Sequence, residues 1–248
     1  MRKLIVSVGL AMSLAMPVMA SEEGGHAQAT VDIDHGSIPS LQRGARLFHN
    51  YCLSCHSVQY MRYQRVGKDL KIPDDLLKQD LMFAGDKPGE TMTVALRSDD
   101  GNAWFGKAPP DLTLTARQRG EAWVYNYLKS FYLDPSRPTG SNNLVLQNAS
   151  MPHVLWPLQG WQQAVFEETK DANGESHKVF KKFELTQKGT MSPEEYDRSV
   201  KDITNYMGYL AEPIRLDRQR VGLKVLIFFA FLGVLAYLLK QEYWKDVH

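Results

Sequence analysis

The chain has 248 residues, 44% hydrophobic and 23% charged, with 18 Gly and 12 Pro. This composition excludes collagen-like, low-complexity and mainly disordered classes, and the length suits one main globular unit with appendages. A formal charge of +1 from 29 basic and 28 acidic side chains argues against a general nucleic-acid binder, and a mean hydropathy of −0.34 excludes a polytopic membrane protein while leaving room for a single span at either end.

Met1-Arg2-Lys3 is a short basic opening, Leu4 to Met16 an uncharged apolar run, and Val18-Met19-Ala20 a leader-peptidase site before Ser21. The run is shorter than the roughly 20 residues a span needs, so residues 1–20 are expected to be a cleaved secretory signal. Without Arg2 and Lys3 the exported chain keeps 27 basic and 28 acidic side chains, a mildly acidic balance.

Leu41, Ala45, Phe48 and Cys52 recur at helical spacing and predict a helix that ends in Cys52-Leu53-Ser54-Cys55-His56. Both cysteines of the chain fall in this C-x-x-C-H pattern, the arrangement for covalent c-type haem attachment. Two thiols three residues apart can each form a thioether to a haem vinyl group while the adjacent imidazole reaches the iron. A thioredoxin-like dithiol needs the pair at a helix N-terminus, where a thiol pKa is depressed, and here the pair follows a helix. A zinc site lacks a second Cys or His cluster to complete a tetrahedron.

Thr115 with Gln118 suggests a capping box ahead of Trp123, Tyr127 and Phe131, an apolar stripe at i, i+4, i+8. Leu133 to Gly160 is a long stretch punctuated by Pro135, Pro138, Pro152 and Pro157, suited to draping over a flat cofactor. Ala164 to Glu167 and Lys178 to Leu185 alternate around Asn173-Gly174 and predict an exposed hairpin. Ser192-Pro193-Glu194-Glu195 is a clearer capping box, ahead of Tyr196, Val200, Ile203, Met207 and Leu210 in a helix that stops before Pro213.

Val221 to Leu239 holds 19 residues with one charge, Lys224, and as a helix is roughly 28 Å long, enough to cross a bilayer. Lys224 can snorkel to the near interface, and Tyr237, Tyr243 and Trp244 supply an aromatic belt at the far one. Four basic residues on the N-terminal side (Arg215, Arg218, Arg220, Lys224) against Lys240 and Lys245 beyond run counter to the positive-inside tendency. A signal that exports the body first overrides that count. The expected layout is an exported domain over 21–220, an anchor over 221–239 and a cytoplasmic tail over 240–248.

A second axial ligand must come from elsewhere in the chain. Met61 is too close to His56, Met82 and Met92 read as parts of a polar loop, and Met191 and Met207 belong to the C-terminal amphipathic region. Met151 remains, in the proline-rich stretch, with His153 as a rival two residues away; spacing favours Met151 without excluding His153, and a methionine most often simply fills core space. Methionine would give a high-potential carrier, histidine a low-potential one and an open site a ligand-binding haem.

In order, Arg43-Gly44, the Cys52 to Ser57 block, Ala108-Pro109-Pro110-Asp111-Leu112, Ala116-Arg117, Gly120-Glu121, Pro138-Thr139-Gly140, Met151-Pro152, Ala211-Glu212-Pro213 and Arg220-Val221-Gly222-Leu223-Lys224 resemble the cytochrome c1 family nearly throughout the mature chain. The resemblance implies a mainly α, class I cytochrome c-like haem domain with long loops, a small β-hairpin and one C-terminal transmembrane helix. It implies one covalent haem c on Cys52 and Cys55, with His56 and Met151 as axial ligands. Pro110 would lie on the proximal side, where a carbonyl can hold the imidazole's outer N–H, and Arg117 would lie against a haem propionate. Trp104-Phe105 and Trp123 depart from the family pattern, in which Asn-rich and Tyr residues are expected.

The activity implied is electron transfer from a Rieske iron–sulfur protein to a cytochrome c, beside a cytochrome b subunit in a dimeric complex, in membrane lipid at the periplasmic face of a bacterial inner membrane and with no nucleic acid. Alternatives are a membrane-anchored cytochrome c serving a terminal oxidase and a haem-based gas sensor with an open sixth site. Acidic pairs at Asp74-Asp75, Asp99-Asp100 and Glu167-Glu168 could dock a basic partner, although such pairs are more often plain solvated faces.

Overall fold

The computed structural model describes residues 29–170 and 176–247. The expected signal segment and the Asn173-Gly174 turn lie outside the described residues. Helix α1 (Ile38–Tyr51) starts at Ser37, whose hydroxyl accepts from Ser40 N at 3.4 Å, has a proline in its first turn, and ends with Cys52 as its C-cap. Its buried face, Leu41, Ala45, Leu47 and Phe48, follows the helical spacing legible in the sequence.

Strand β1 (Val58–Arg62) pairs antiparallel with the short β2 (Thr91–Met92), and between them lie α2 (Tyr63–Asp69) and α3 (Asp74–Asp80). Met92 is fully buried and Met82 nearly so, which corrects their expected place in a polar loop. Apolar atoms drive this: the sulfur side chains join Met61, Val66, Leu70 and Leu77 in one cluster.

Helix α4 (Ser98–Phe105) ends at Gly106 with a left-handed φ of 74°. Then come α5 (Thr115–Arg119) and α6 (Glu121–Lys129). The expected capping box at Thr115 does not form: Leu114 is the N-cap of α5 and makes no side-chain cap bond. Gly120, at φ 90°, breaks the run into two helices. Trp123 and Tyr127 lie on α6, whereas Phe131 opens strand β3 (Phe131–Leu133), so the expected stripe crosses from helix to strand.

The proline-rich stretch is not all loop. It contains β4 (Ser141–Asn143), paired antiparallel with β3, and the single turn α7 (Trp156–Gln159). The hairpin is longer than its alternation suggests: β5 (Gly160–Lys170) pairs with β6 (Ser176–Lys188) from Gly160 opposite Lys188 to Lys170 opposite Ser176. Helix α8 (Pro193–Ala211) has the full reciprocal capping box, Glu195 N to Ser192 Oγ at 3.2 Å and Ser192 N to Glu195 Oε2 at 2.8 Å.

Helices α1 and α8 pack along each other and form the centre of the core. Their join is polar as well as apolar: buried Asp202 on α8 accepts from Arg43 Nε at 2.6 Å, Arg43 Nη2 at 3.0 Å and Ser40 Oγ at 2.7 Å. The fork-to-carboxylate geometry fixes the register of the two helices. Helix α9 (Arg215–Tyr243) is 29 residues long, predominantly apolar from Val221 onward, and buries none of its residues. It is long and apolar enough to cross a membrane.

Candidate functional site

The C-terminal end of α1 delivers the two cysteines and the histidine. Cys52 N bonds to Phe48 O at 2.8 Å, and Cys55 N and His56 N both return to Cys52 O, at 3.1 and 3.0 Å, so the motif is a tight helical exit. The cysteines are not joined to each other, and Cys52 is buried. Burial, with Cys55 beside it, pushes the Cys52 thiol up to about 12. This is the reverse of a thioredoxin-like nucleophile, whose thiol must be depressed.

His56 is also buried. Its Nδ1 lies 2.7 Å from Pro110 O, and burial lowers its pKa against the opposing effects of that bond and of Asp111. Donation from Nδ1–H to a carbonyl fixes the tautomer that presents a bare Nε2 lone pair. The Pro110 segment is itself held: Leu112 N bonds to Ser57 O at 2.9 Å and Gln59 N to Asp111 Oδ2 at 2.8 Å. The chain therefore returns to the His56 neighbourhood before entering α5, which carries Arg117 on an exposed face.

Met151 stands in the segment between β4 and α7, half-buried, and its Sδ accepts from Tyr127 Oη at 3.5 Å. The Tyr127 ring is stacked on Trp123, with centroids 4.9 Å apart and planes 8° apart, and meets the edge of Phe131 at 5.1 Å. Burial raises the Tyr127 pKa, so the hydroxyl stays a donor. His153, the rival, is 2% exposed, stacked on Phe131 at 5.2 Å and in edge contact with Trp161 at 5.5 Å. Burial lowers its pKa to about 4. Its ring is held by Phe131 and Trp161, and its buried Nε2 has no hydrogen-bond partner among the described residues.

Trp104 and Phe105 sit on α4, with Trp104 69% exposed. Cys52 and Leu53 share one buried cluster with Val124, Leu128 and Leu155, against which Trp123, Tyr127, Leu112 and Val154 pack. The structure thus joins the C-x-x-C-H turn, the Pro110 segment and the α6 to Met151 wall through one core. The Tyr127 hydroxyl on the sulfur is not legible from spacing, which marks Tyr127 only as part of an apolar stripe.

These residues suit a haem: two thiols unpaired with each other, a neutral imidazole with one nitrogen engaged and the other bare, and a thioether held by a donor. On a mainly α body with one apolar helix, they define the class of c-type cytochromes held at a membrane. The profile of the Cytochrome C1 family matches residues 28–247. The chain is 50% identical over its whole length to the cytochrome c1 of Allochromatium vinosum, covering 100% of both proteins. It is 44% identical to a Nitrosomonas europaea protein named ammonia monooxygenase gamma subunit, covering 96% of this chain and 97% of that one. It is 24% identical to the mitochondrial cytochrome c1 haem protein of Neurospora crassa, over 93% of this chain and 70% of that one. The chain belongs to the cytochrome c1 family, whose proteins bind haem c and serve electron transfer.

Proposed function

We propose that this protein is the haem-bearing electron carrier of a quinol–cytochrome c oxidoreductase, with one haem c bound through Cys52 and Cys55 and ligated by His56 and Met151. When bound, the haem supplies a one-electron Fe(II)/Fe(III) couple, and His/Met ligation sets it at high potential. The observation that carries the reading is the 2.7 Å contact of His56 Nδ1 with Pro110 O, which leaves Nε2 as the ligating nitrogen.

Each side chain then has a defined task. Cys52 and Cys55 fix the ring, so the carrier cannot lose it between turnovers. Pro110 holds the imidazole plane and its tautomer. Met151, in the segment of bends and turns between β4 and α7, would bring a soft sulfur that favours reduced iron. Arg117, exposed on the element leaving the Pro110 segment, would offer a permanent cation to a propionate. No side chain is required to move a proton.

The electron comes from a Rieske iron–sulfur protein and leaves to a cytochrome c, beside cytochrome b in a dimeric complex. Residues 21–220 form the periplasmic domain, 221–239 the inner-membrane anchor and 240–248 the cytoplasmic tail, after removal of 1–20. The apolar, unburied face of α9 supports the anchor. A tether holds the haem near its membrane-bound donor and raises the effective concentration of each for the other.

The test is the visible spectrum of the purified protein and of Met151→Leu, oxidised and reduced. The expected wild type is six-coordinate and low-spin, with a methionine-to-iron charge-transfer band that is lost in the variant while the haem stays covalently attached. A band that survives Met151→Leu removes Met151 from the assignment.

A further inference from the structure

Tyr127 is clamped from every side that matters for its aim. Its ring lies flat on Trp123, one helical turn earlier, and Trp123 in turn lies under the Arg119 guanidinium at 5.4 Å. The edge contact with Phe131 closes the other side. Its carbonyl accepts from Asn143 Nδ2 at 2.8 Å, and Asn143 is fully buried. Backbone and ring are thus both fixed, and the hydroxyl that projects from them ends 3.5 Å from Met151 Sδ.

We propose that Tyr127 is a positioning residue of the redox centre, whose hydroxyl, by donating to the Met151 thioether, raises the reduction potential above what the same two axial ligands would give alone. The inference rests on Met151 as axial ligand, as proposed above. A thioether sulfur has two lone pairs; with one directed at iron, the second remains to accept a hydrogen bond. Accepting that bond draws electron density from sulfur. Fe(III) demands more of that density than Fe(II), so the oxidised form loses more and the equilibrium moves towards the reduced one. The hydroxyl also limits rotation about the sulfur, since a shifted Met151 would leave a half-buried donor unsatisfied.

Tyr127→Phe is the informative variant, because it keeps the ring and its contacts with Trp123 and Phe131 and removes one oxygen. In the haem-loaded, detergent-solubilised protein, equilibrium redox titration should show the reduced-to-oxidised ratio at fixed ambient potential falling about three- to tenfold. At 59 mV per tenfold for one electron this is about 30 to 60 mV. The methionine charge-transfer band should persist at a shifted wavelength, and the unfolding midpoint should stay close to that of the wild type. Trp123→Leu, which frees the ring without touching the hydroxyl, should move the potential in the same direction by less.

If Tyr127→Phe keeps the band and titrates with an unchanged or raised ratio, the proposal is overturned while the His56/Met151 reading stands. If the wild type lacks the band, or keeps it in Met151→Leu, the ligand reading itself fails and takes this proposal with it. A Tyr127→Phe protein whose band and unfolding midpoint both collapse would assign the residue to packing and overturn the proposal as well.

Discussion

The imidazoles of His49, His56 and His153 are all buried, yet they meet different partners. His49 is satisfied at both nitrogens, by Leu81 O at 2.6 Å and Tyr206 Oη at 3.1 Å, and burial lowers its pKa to about 4. His153 lies within the aromatic rings of the core. His56 alone pairs one nitrogen with the carbonyl of a segment pinned back against the C-x-x-C-H turn. The ionised side chains obey the same logic of partners against burial. At Asp197, burial works against the carboxylate, but Lys129, Tyr125 and Lys201 donate to it and hold its pKa well below the usual range. A carboxylate depressed in the folded state contributes stability above its unfolded pKa of about 3.9 and loses it as pH falls through the folded value. Asp197→Asn should therefore cost about 2 kcal/mol at pH 7. It should also flatten the acid limb of stability below about pH 4. Denaturant unfolding followed by circular dichroism at pH 7 and pH 3 measures both, and superimposed curves for the two proteins at both pH values would show that the network contributes nothing.

Among the elements, the packing of α1 on α8 decides where the C-x-x-C-H turn is held. Gly44 sits at their closest approach: a Cβ there would run into the Asp202 carbonyl and lie 2.9 Å from Tyr206 Cβ. A helical glycine ordinarily costs stability, and here it is retained because the neighbouring backbone occupies the space. Gly44→Ala should push the helices apart and cost about 3 kcal/mol. That corresponds to a thermal midpoint lower by about 10 °C, with a reduced yield of haem-loaded protein because Cys52 caps the displaced helix. An unchanged midpoint would mean that the join relaxes freely. Elements of this kind differ in how openly the sequence announces them. Helix α8 is legible because cap, proline and apolar spacing all lie within its own residues. The C-x-x-C-H turn is legible because the chemistry requires its members to be adjacent. The Thr115 box misleads because the helix starts one residue earlier, with Leu114 as the N-cap and Thr115 already inside it, and Gly120 at φ 90° ends α5 after five residues. β1 with β2, and the burial of Met82 and Met92, arise from contacts between distant segments, and no local pattern encodes them. The different partners of Met151 and His153, the Tyr127 hydroxyl and the Phe131 ring, come from segments that spacing around the two residues does not reveal.

On the scale of the whole molecule, the described chain divides into a body with its own core and a helix that contributes nothing to it. Helix α9 buries none of its residues, so the body does not depend on it for packing. The connection is nevertheless directed. Arg215 Nη1 bonds to Glu121 Oε1 at 2.7 Å, Arg218 pairs with Glu212, and Glu121 opens α6, the helix that carries Trp123 and Tyr127. The first turn of α9 is thereby tied to the element that carries Tyr127, while its apolar part lies beyond the ion pairs that join α9 to the body among the described residues. Two consequences can be separated by a chain that stops at Arg220. Because it keeps the Glu121 and Glu212 pairs, its haem spectrum and potential should match those of the full-length protein. Because it lacks the apolar run, it should move from the membrane fraction to the soluble one. A chain that stops at Ala211 loses the two ion pairs as well and should show the same solubility with a slightly lower unfolding midpoint. If the Arg220 form instead stays with the membrane after a salt wash, some part of the body has its own membrane or protein contact, and α9 is not the sole tether. If it is soluble but loses its methionine band, the anchor acts on the redox centre through α6, and the body is not the independent unit that its packing describes.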